Sequence, residues 1–166
     1  MGGALANDFY KAKGFSVGAS PVSNAAHFEH LLENEHVYIP QDVTVVDSGG
    51  NVRVVHPDEL KADDVINDCG PETLVKLEEL IKRAKFILWN GPIGDYQLGF
   101  QESSEKIANM IIESNAHSII GGGDTASLLY SLGYESSFSF LSTGGGAMLE
   151  LLLKGTLPGI EALSRR

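Results

Sequence analysis

An aspartate at the end of a glycine run is the first residue that asks for a chemical explanation. In IIGGGDTASLL, Ile119 to Leu129, Gly122 and Gly123 lead straight into Asp124 and Thr125 at the start of a helical pattern. A glycine loop that enters a helix lets main-chain N–H groups and the helix dipole approach a phosphate. The Thr125 hydroxyl adds a donor there. A carboxylate beside a polyphosphate is repulsive unless a divalent cation lies between them, and Mg²⁺ commonly combines one carboxylate with phosphate oxygens. Asp124 therefore reads either as a metal ligand or as a plain N-cap that needs no ligand; this loop alone leaves both open. A second loop of the same kind is STGGGAM, with Gly144, Gly145 and Gly146. A third, WNGPIGDYQ, offers the Asn90 amide to a phosphate and a Gly-Pro turn, with Pro92 and Ile93, as a flat apolar wall for a base.

Other site chemistries fail on the residues. The chain has no G-x-x-x-x-G-K-[ST] and no G-x-G-x-x-G with a downstream acid. His27 and His30 lie three apart, but with Glu29, Glu33, Asn34 and Glu35 beside them they read as a solvated polar face rather than a metal pair. No nucleophile, base and orienting acid share a local signature.

Strands must place these loops at one edge. ALANDFYKAKG reads as a helix ended by Gly14, and SPVSNAAHFEHLLEN as a helix with Ser20 as N-cap and Pro21 at its first position. YIPQDVTVVD and VRVVH read as strands. PETLVKLEELIKRA is helical, with Leu74, Leu77, Ile81 and Ala84 on one face. FILWN, SIIGG and FSFLS are strands alternating with the helices SEKIANMIIESN, TASLLYSLG and AMLELLLKG. That alternation predicts an α/β fold, a three-layer, Rossmann-like parallel sheet. Ligands of such sheets sit at the carboxyl ends of the strands, where all three glycine loops fall.

Composition sets the limits. The 166 residues carry 22 acidic and 12 basic side chains, a net charge of −10. That excludes a nucleic-acid or anionic-membrane surface, so any phosphate is held by local groups or a metal. Cys69 is the only cysteine and fits a reducing cytoplasm. The N-terminus lacks the basic and apolar segments of a signal peptide, and no apolar run reaches membrane-spanning length.

WNGPIG, IIGGGDTA, STGGGAMLELL and LPGIEAL, in that order and spacing, resemble the C-terminal, nucleotide-binding domain of phosphoglycerate kinase. So do GGALANDFYKAKG, YIPQDVTVVD and DCGPET. The resemblance covers essentially the whole chain, taken as one partial domain, residues 1–166. It implies phosphoryl transfer between ATP and 3-phosphoglycerate in glycolysis, with Mg²⁺, in the cytoplasm and by a monomer. Asp124 is then the Mg·nucleotide ligand, and Gly122, Gly123, Thr125 and Asn90 serve the nucleotide phosphates. Gly2 and Gly3 line the adenine pocket opposite Pro92 and Ile93, and Gly144, Gly145 and Gly146 lie near the transferred phosphoryl group. Gln97 stands where the family usually has a ribose-binding glutamate. The family's N-terminal domain, which holds 3-phosphoglycerate, is not among these residues, nor are the first two strands of the C-terminal domain. An enzyme portion active only with the remainder, a non-catalytic adenine-nucleotide-binding module and an inert gene fragment are the three readings this leaves. The implied sheet order cuts YIPQDVTVVD off from FILWN, so that strand either shifts to pair with FILWN or leaves two sheet edges open.

Overall fold

The structure, a computed structural model, describes residues 1–23 and 29–164. Its elements are α1 (Ala4–Ala12), β1 (Val43–Val46), β2 (Val52–Val55), β3 (Val65–Cys69), α2 (Pro71–Arg83), β4 (Phe86–Asn90), α3 (Glu102–Glu113), β5 (His117–Gly121), α4 (Gly123–Ser131), β6 (Phe140–Ser142), α5 (Gly145–Lys154) and α6 (Pro158–Ser164).

The α/β class and the parallel sheet hold for the second half of the chain. β4, β5 and β6 form a parallel sheet in that order, with Trp89 opposite Ile120 and Ile120 opposite Leu141. α2 and α3 pack on each other, and α4 packs on β5 and β6. Leu74, Trp89, Ile107, Ile111, Ile120 and Leu129 form the core, with Leu77, Ile81 and Met110 partly buried against it. The helix faces read from the 3.6-residue period are the ones that are buried.

The first half departs from the expected parallel sheet. Val43–Val46 and Val52–Val55 belong to a separate antiparallel sheet of order β2-β1-β3. The connection explains it. Parallel neighbours need a crossover of a dozen or more residues, and β1 reaches β2 through a tight turn. Asp47 shapes that turn: its Oδ1 accepts the N–H groups of Gly49 and Asn51, both at 2.9 Å, and Gly50 takes φ 80°. β1 thus pairs neither with β4 nor with a gap beside it. The strand β3, VINDC, was hidden by its own polar residues, Asn67 and Asp68.

The Ser20–Pro21 helix start is also corrected. Residues 21–23 are not helical, and the Ser20 hydroxyl oxygen accepts the N–H of Ile66 at 2.9 Å, tying the segment to β3 instead. His27 lies outside the described residues, and Glu29–Leu31 is a single 3-10 turn.

Two buried carboxylates lock the antiparallel half. Asp42, 2% exposed, caps α2 from a distance. Its Oδ2 accepts from Glu72 N–H at 2.9 Å, and its Oδ1 from Thr73 N–H at 2.8 Å and the Thr73 hydroxyl at 2.6 Å. A negative charge there also suits the helix dipole. Gly70 makes the approach possible, because a Cβ on it would sit 2.2 Å from Asp42 Oδ2. Asp64, fully buried, pairs with Arg53 of β2.

Candidate functional site

The three glycine loops leave the carboxyl ends of β4, β5 and β6 and converge on one side chain, Asn90. A Cβ on Gly145 would lie 2.4 Å from Asn90 Oδ1, one on Gly121 3.1 Å and one on Gly122 3.2 Å. At Gly145 glycine is required, because the Asn90 amide and the Gly122 backbone fill the space that a side chain would take. The loops are stitched by hydrogen bonds. Gly91 N–H donates to Thr125 Oγ1 at 3.0 Å, and Gly122 N–H to the Ser142 carbonyl at 3.0 Å. Gly144 N–H donates to Ser142 Oγ at 3.1 Å. Gly122 takes φ 103°, a conformation that L side chains rarely adopt, and so turns the chain into α4. Asn90 Oδ1 itself is buried without a hydrogen-bond partner among the described residues.

Each expected residue can now be placed. Asp124 is exposed at the first turn of α4, where its Oδ1 accepts the Tyr96 hydroxyl at 3.3 Å. The Thr125 side chain is fully buried, and its oxygen holds the Gly91 loop. The first-turn N–H groups of Gly123, Asp124 and Thr125 have no acceptor within the helix. Gly145 is buried, while Gly144 and Gly146 are exposed at the start of α5. Gln97 is exposed in the short 3-10 turn Tyr96–Leu98, which Asp95 caps by accepting from Leu98 N–H at 3.3 Å. Gly2 and Gly3 do meet Pro92 and Ile93, but in direct contact. A Cβ on Gly2 would be 2.7 Å from Ile93 Cδ1, and one on Gly3 3.3 Å from the Pro92 carbonyl.

Asp124 suits a cation that takes a single protein carboxylate. Among the described residues no group of three or more His, Cys, Asp or Glu side chains gathers as a metal cage. A lone exposed carboxylate at a phosphate-type helix start is the donor set Mg²⁺ uses when phosphates and water complete its shell.

Sequence reading missed the seam between the two sheets. Asp68 of β3 accepts from Cys69 N–H at 2.8 Å and from Ser103 N–H at 3.2 Å. The Asn67 carbonyl accepts from Asp95 N–H at 2.8 Å. The Asn67–Asp95 bond fixes the Pro92–Asp95 loop against β3, and the Asp68–Ser103 bond ties the start of α3 to it. Gly94 has no room for a side chain, since a Cβ would meet the Phe100 carbonyl at 2.2 Å. Burial raises the Asp68 carboxyl above its ordinary value against the pull of those N–H groups, and pushes the Cys69 thiol up to about 11. A polar pair inside an otherwise apolar strand, Asn67-Asp68, was the one available signal. A cavity of about 280 Å³ opens at this seam, lined by Gly3, Asn7, Asn67, Pro92, Ile93 and Leu98 among others.

Comparison with known proteins follows the same lines. The family model described as Phosphoglycerate kinase matches residues 1–155. A phosphoglycerate kinase of Desulfosudis oleivorans is 36% identical, over 99% of this chain and 44% of its own length. One of Vibrio campbellii is 34% identical, over 100% of this chain and 45% of its own. The structure of phosphoglycerate kinase from Coxiella burnetii superposes with a TM-score of 0.88 at 35% identity, covering 99% of this chain and 45% of that one. That of Pyrococcus horikoshii gives 0.79 at 28% identity, covering 98% of this chain and 44% of that one. The chain thus spans about 45% of the length of the relatives it matches. No described helix is long and apolar enough to cross a membrane.

Proposed function

The chain belongs to the phosphoglycerate kinase family, a family of phosphotransferases, and from that premise we propose that it holds Mg·ATP or Mg·ADP for phosphoryl transfer to and from 3-phosphoglycerate. The observation that carries this is the meeting of three glycine loops around Asn90, beside a helix start that bears one exposed carboxylate. The polyphosphate lies on the N–H groups of Gly123, Asp124 and Thr125, along the positive end of the α4 dipole. Thr125 acts through its main chain, and its buried hydroxyl keeps the Gly91 loop in place. With the Asn90 oxygen held among glycines, its Nδ2 is the group left for a phosphate oxygen. Asp124 would hold Mg²⁺, which offsets the phosphate charge when bound. Gly144, Gly145 and Gly146 present the start of α5 to the transferred group, where fixed N–H dipoles stabilise developing charge. Gly2 and Gly3 opposite Pro92 and Ile93 take the adenine, with Ile93 turning away from Gly2, and Gln97 accepts from the ribose.

The role is glycolytic and cytoplasmic, and the single partial domain acts as a monomer. 3-Phosphoglycerate engages only with the rest of the family protein. A small, highly anionic acid needs clustered Arg or Lys, and none of the three loops carries one. The 166 residues alone should give no turnover of ATP with 3-phosphoglycerate above background; turnover that disappears in Asp124→Ala would overturn that. The nucleotide reading is tested by calorimetric titration with and without Mg²⁺. Asp124→Ala should weaken Mg·ADP about tenfold or more and metal-free ADP far less. Equal losses under both conditions would reduce Asp124 to a helix cap.

A further inference from the structure

The loop that follows β4 grips the first turn of α4 at two consecutive residues. Gly91 N–H donates to Thr125 Oγ1 at 3.0 Å, and the Tyr96 hydroxyl donates to Asp124 Oδ1 at 3.3 Å. The first bond lies against a fully buried side chain and holds the fold. The second lies at the surface, on the only carboxylate of α4, where a single exposed hydrogen bond contributes little to stability. Tyr96 is itself held from behind. It opens the short turn Tyr96–Leu98, which ends at Gly99 with φ 88°. One residue earlier, Asp95 N–H donates to the Asn67 carbonyl at 2.8 Å, and the Asp95 carbonyl accepts from Phe100 N–H at 3.0 Å. The turn is therefore moored on β3, and the Tyr96 hydroxyl carries that anchorage to Asp124. Asp124 Oδ2 has no hydrogen-bond partner among the described residues.

We propose that Tyr96 is a positioning residue for the divalent cation: its hydroxyl holds the Asp124 carboxylate by Oδ1 and leaves Oδ2 for Mg²⁺. The proposal rests on the nucleotide reading above, and adds to it the group that orients the metal ligand. An exposed aspartate has several staggered rotamers open to it. A bond to a moored turn restricts them before the cation arrives, so less freedom is lost on binding. Carboxylates that hold metals are commonly hydrogen-bonded in turn, and that outer partner sets part of the affinity. A hydroxyl suits this place because it is neutral. It orients the carboxylate without cancelling the charge that attracts the cation, as a Lys or Arg there would. The bond is long for a hydroxyl on a carboxylate, and it is exposed. Its effect is therefore smaller than the roughly tenfold or more that outer partners of metal ligands usually contribute.

The test is a double-mutant cycle of Tyr96→Phe and Asp124→Ala, read by calorimetric titration of ADP with and without Mg²⁺. Tyr96→Phe keeps the ring and removes only the hydroxyl, and its melting temperature should match that of the unaltered chain. It should weaken Mg·ADP about threefold to fivefold, leave metal-free ADP unchanged, and raise the Mg²⁺ concentration at which half of the metal's gain is reached. In the Asp124→Ala background the same substitution should have no further effect, because the two residues act through one contact. Equal losses with and without Mg²⁺ would mean that Tyr96 only supports the loop, and would overturn the proposal. Tighter Mg·ADP in Tyr96→Phe would mean that the hydroxyl competes with the cation for Asp124, and would overturn it too. An undiminished effect in the Asp124→Ala background would place the action of Tyr96 elsewhere. Each of these outcomes leaves nucleotide binding by the unaltered chain intact. Failure of the unaltered chain to bind ADP under either condition would instead remove the underlying reading, and this proposal with it.

Discussion

The two sheets secure their polar groups in opposite ways. In the antiparallel half, charged side chains are buried against named donors: Asp42 against Glu72 and Thr73, and Asp64 against Arg53. In the parallel half the turning points are glycines, and the first-turn N–H groups of α4 and α5 lack intrahelical acceptors. One half satisfies these buried carboxylates within itself and behaves as a scaffold. The other leaves main-chain donors at one edge for something outside the chain to complete.

The comparison breaks most severely at Asp42. Asp42→Ala strands the N–H groups of Glu72 and Thr73 at the start of α2 and leaves a void opposite Gly70. The expected cost is about 3 kcal/mol, a large share of the stability of a small domain. Urea unfolding checks it. A loss within about 0.5 kcal/mol would place Asp42 among ordinary surface residues.

The glycine half is sharpened by two neighbours. Gly145→Ala drives a methyl into Asn90 Oδ1 and into Gly122, whose Cα would be 2.7 Å away. Separating those loops should cost about 2 kcal/mol and weaken Mg·ADP. Gly146→Ala meets nothing within 4 Å and sits inside α5, so it should be stabilising by about 0.5 kcal/mol. Thermal or urea unfolding of the pair separates glycine needed for space from glycine merely present; equal effects would dissolve the distinction.

These pairs also show what the sequence could and could not say. The parallel half was legible because its signals are local. FILWN, HSIIG and FLS run directly into glycine loops, and Gly133 and Gly155 follow their helices with φ 72° at each. The loop convergence was legible as a shared edge, but not its centre: that Gly145 exists to admit Asn90 is a contact across 55 residues of sequence. The antiparallel half depends on distant partners. Asp42 caps a helix that begins 29 positions later, and Ser20 serves β3 rather than a helix of its own. VINDC could not be recognised as a strand, because the polar Asn67 and Asp68 make sense only once Asp95 and Ser103 are beside them.

The smallest expected effect concerns the sign of two carboxylates in acid. Asp68 lies at the seam, where burial raises its carboxyl above the ordinary value, against the Cys69 and Ser103 hydrogen bonds that lower it. The folded protein therefore holds that proton more tightly than the unfolded chain. Its contribution to stability is fully present below the unfolded pKa, and is lost as pH rises through the raised folded value. Asp47 is the reverse. The Asn51 side chain and main chain, then Gly49, stabilise its charged form and lower its carboxyl. Its contribution is present above the unfolded pKa and is lost as pH falls through the lowered value. Neither Asp68→Asn nor Asp47→Asn titrates, so subtracting each variant's urea-derived stability from that of the unaltered chain, at each pH, isolates the site. The Asp68 difference should fall as pH rises above the ordinary carboxylate value of about 4, and the Asp47 difference should fall as pH drops below it. Asp47 sits in a surface turn and is partly exposed, so its curve should flatten in high salt, while that of the buried Asp68 persists. Two curves of the same sign would mean that the seam is wet, and that Asp68 is held no differently from a surface turn.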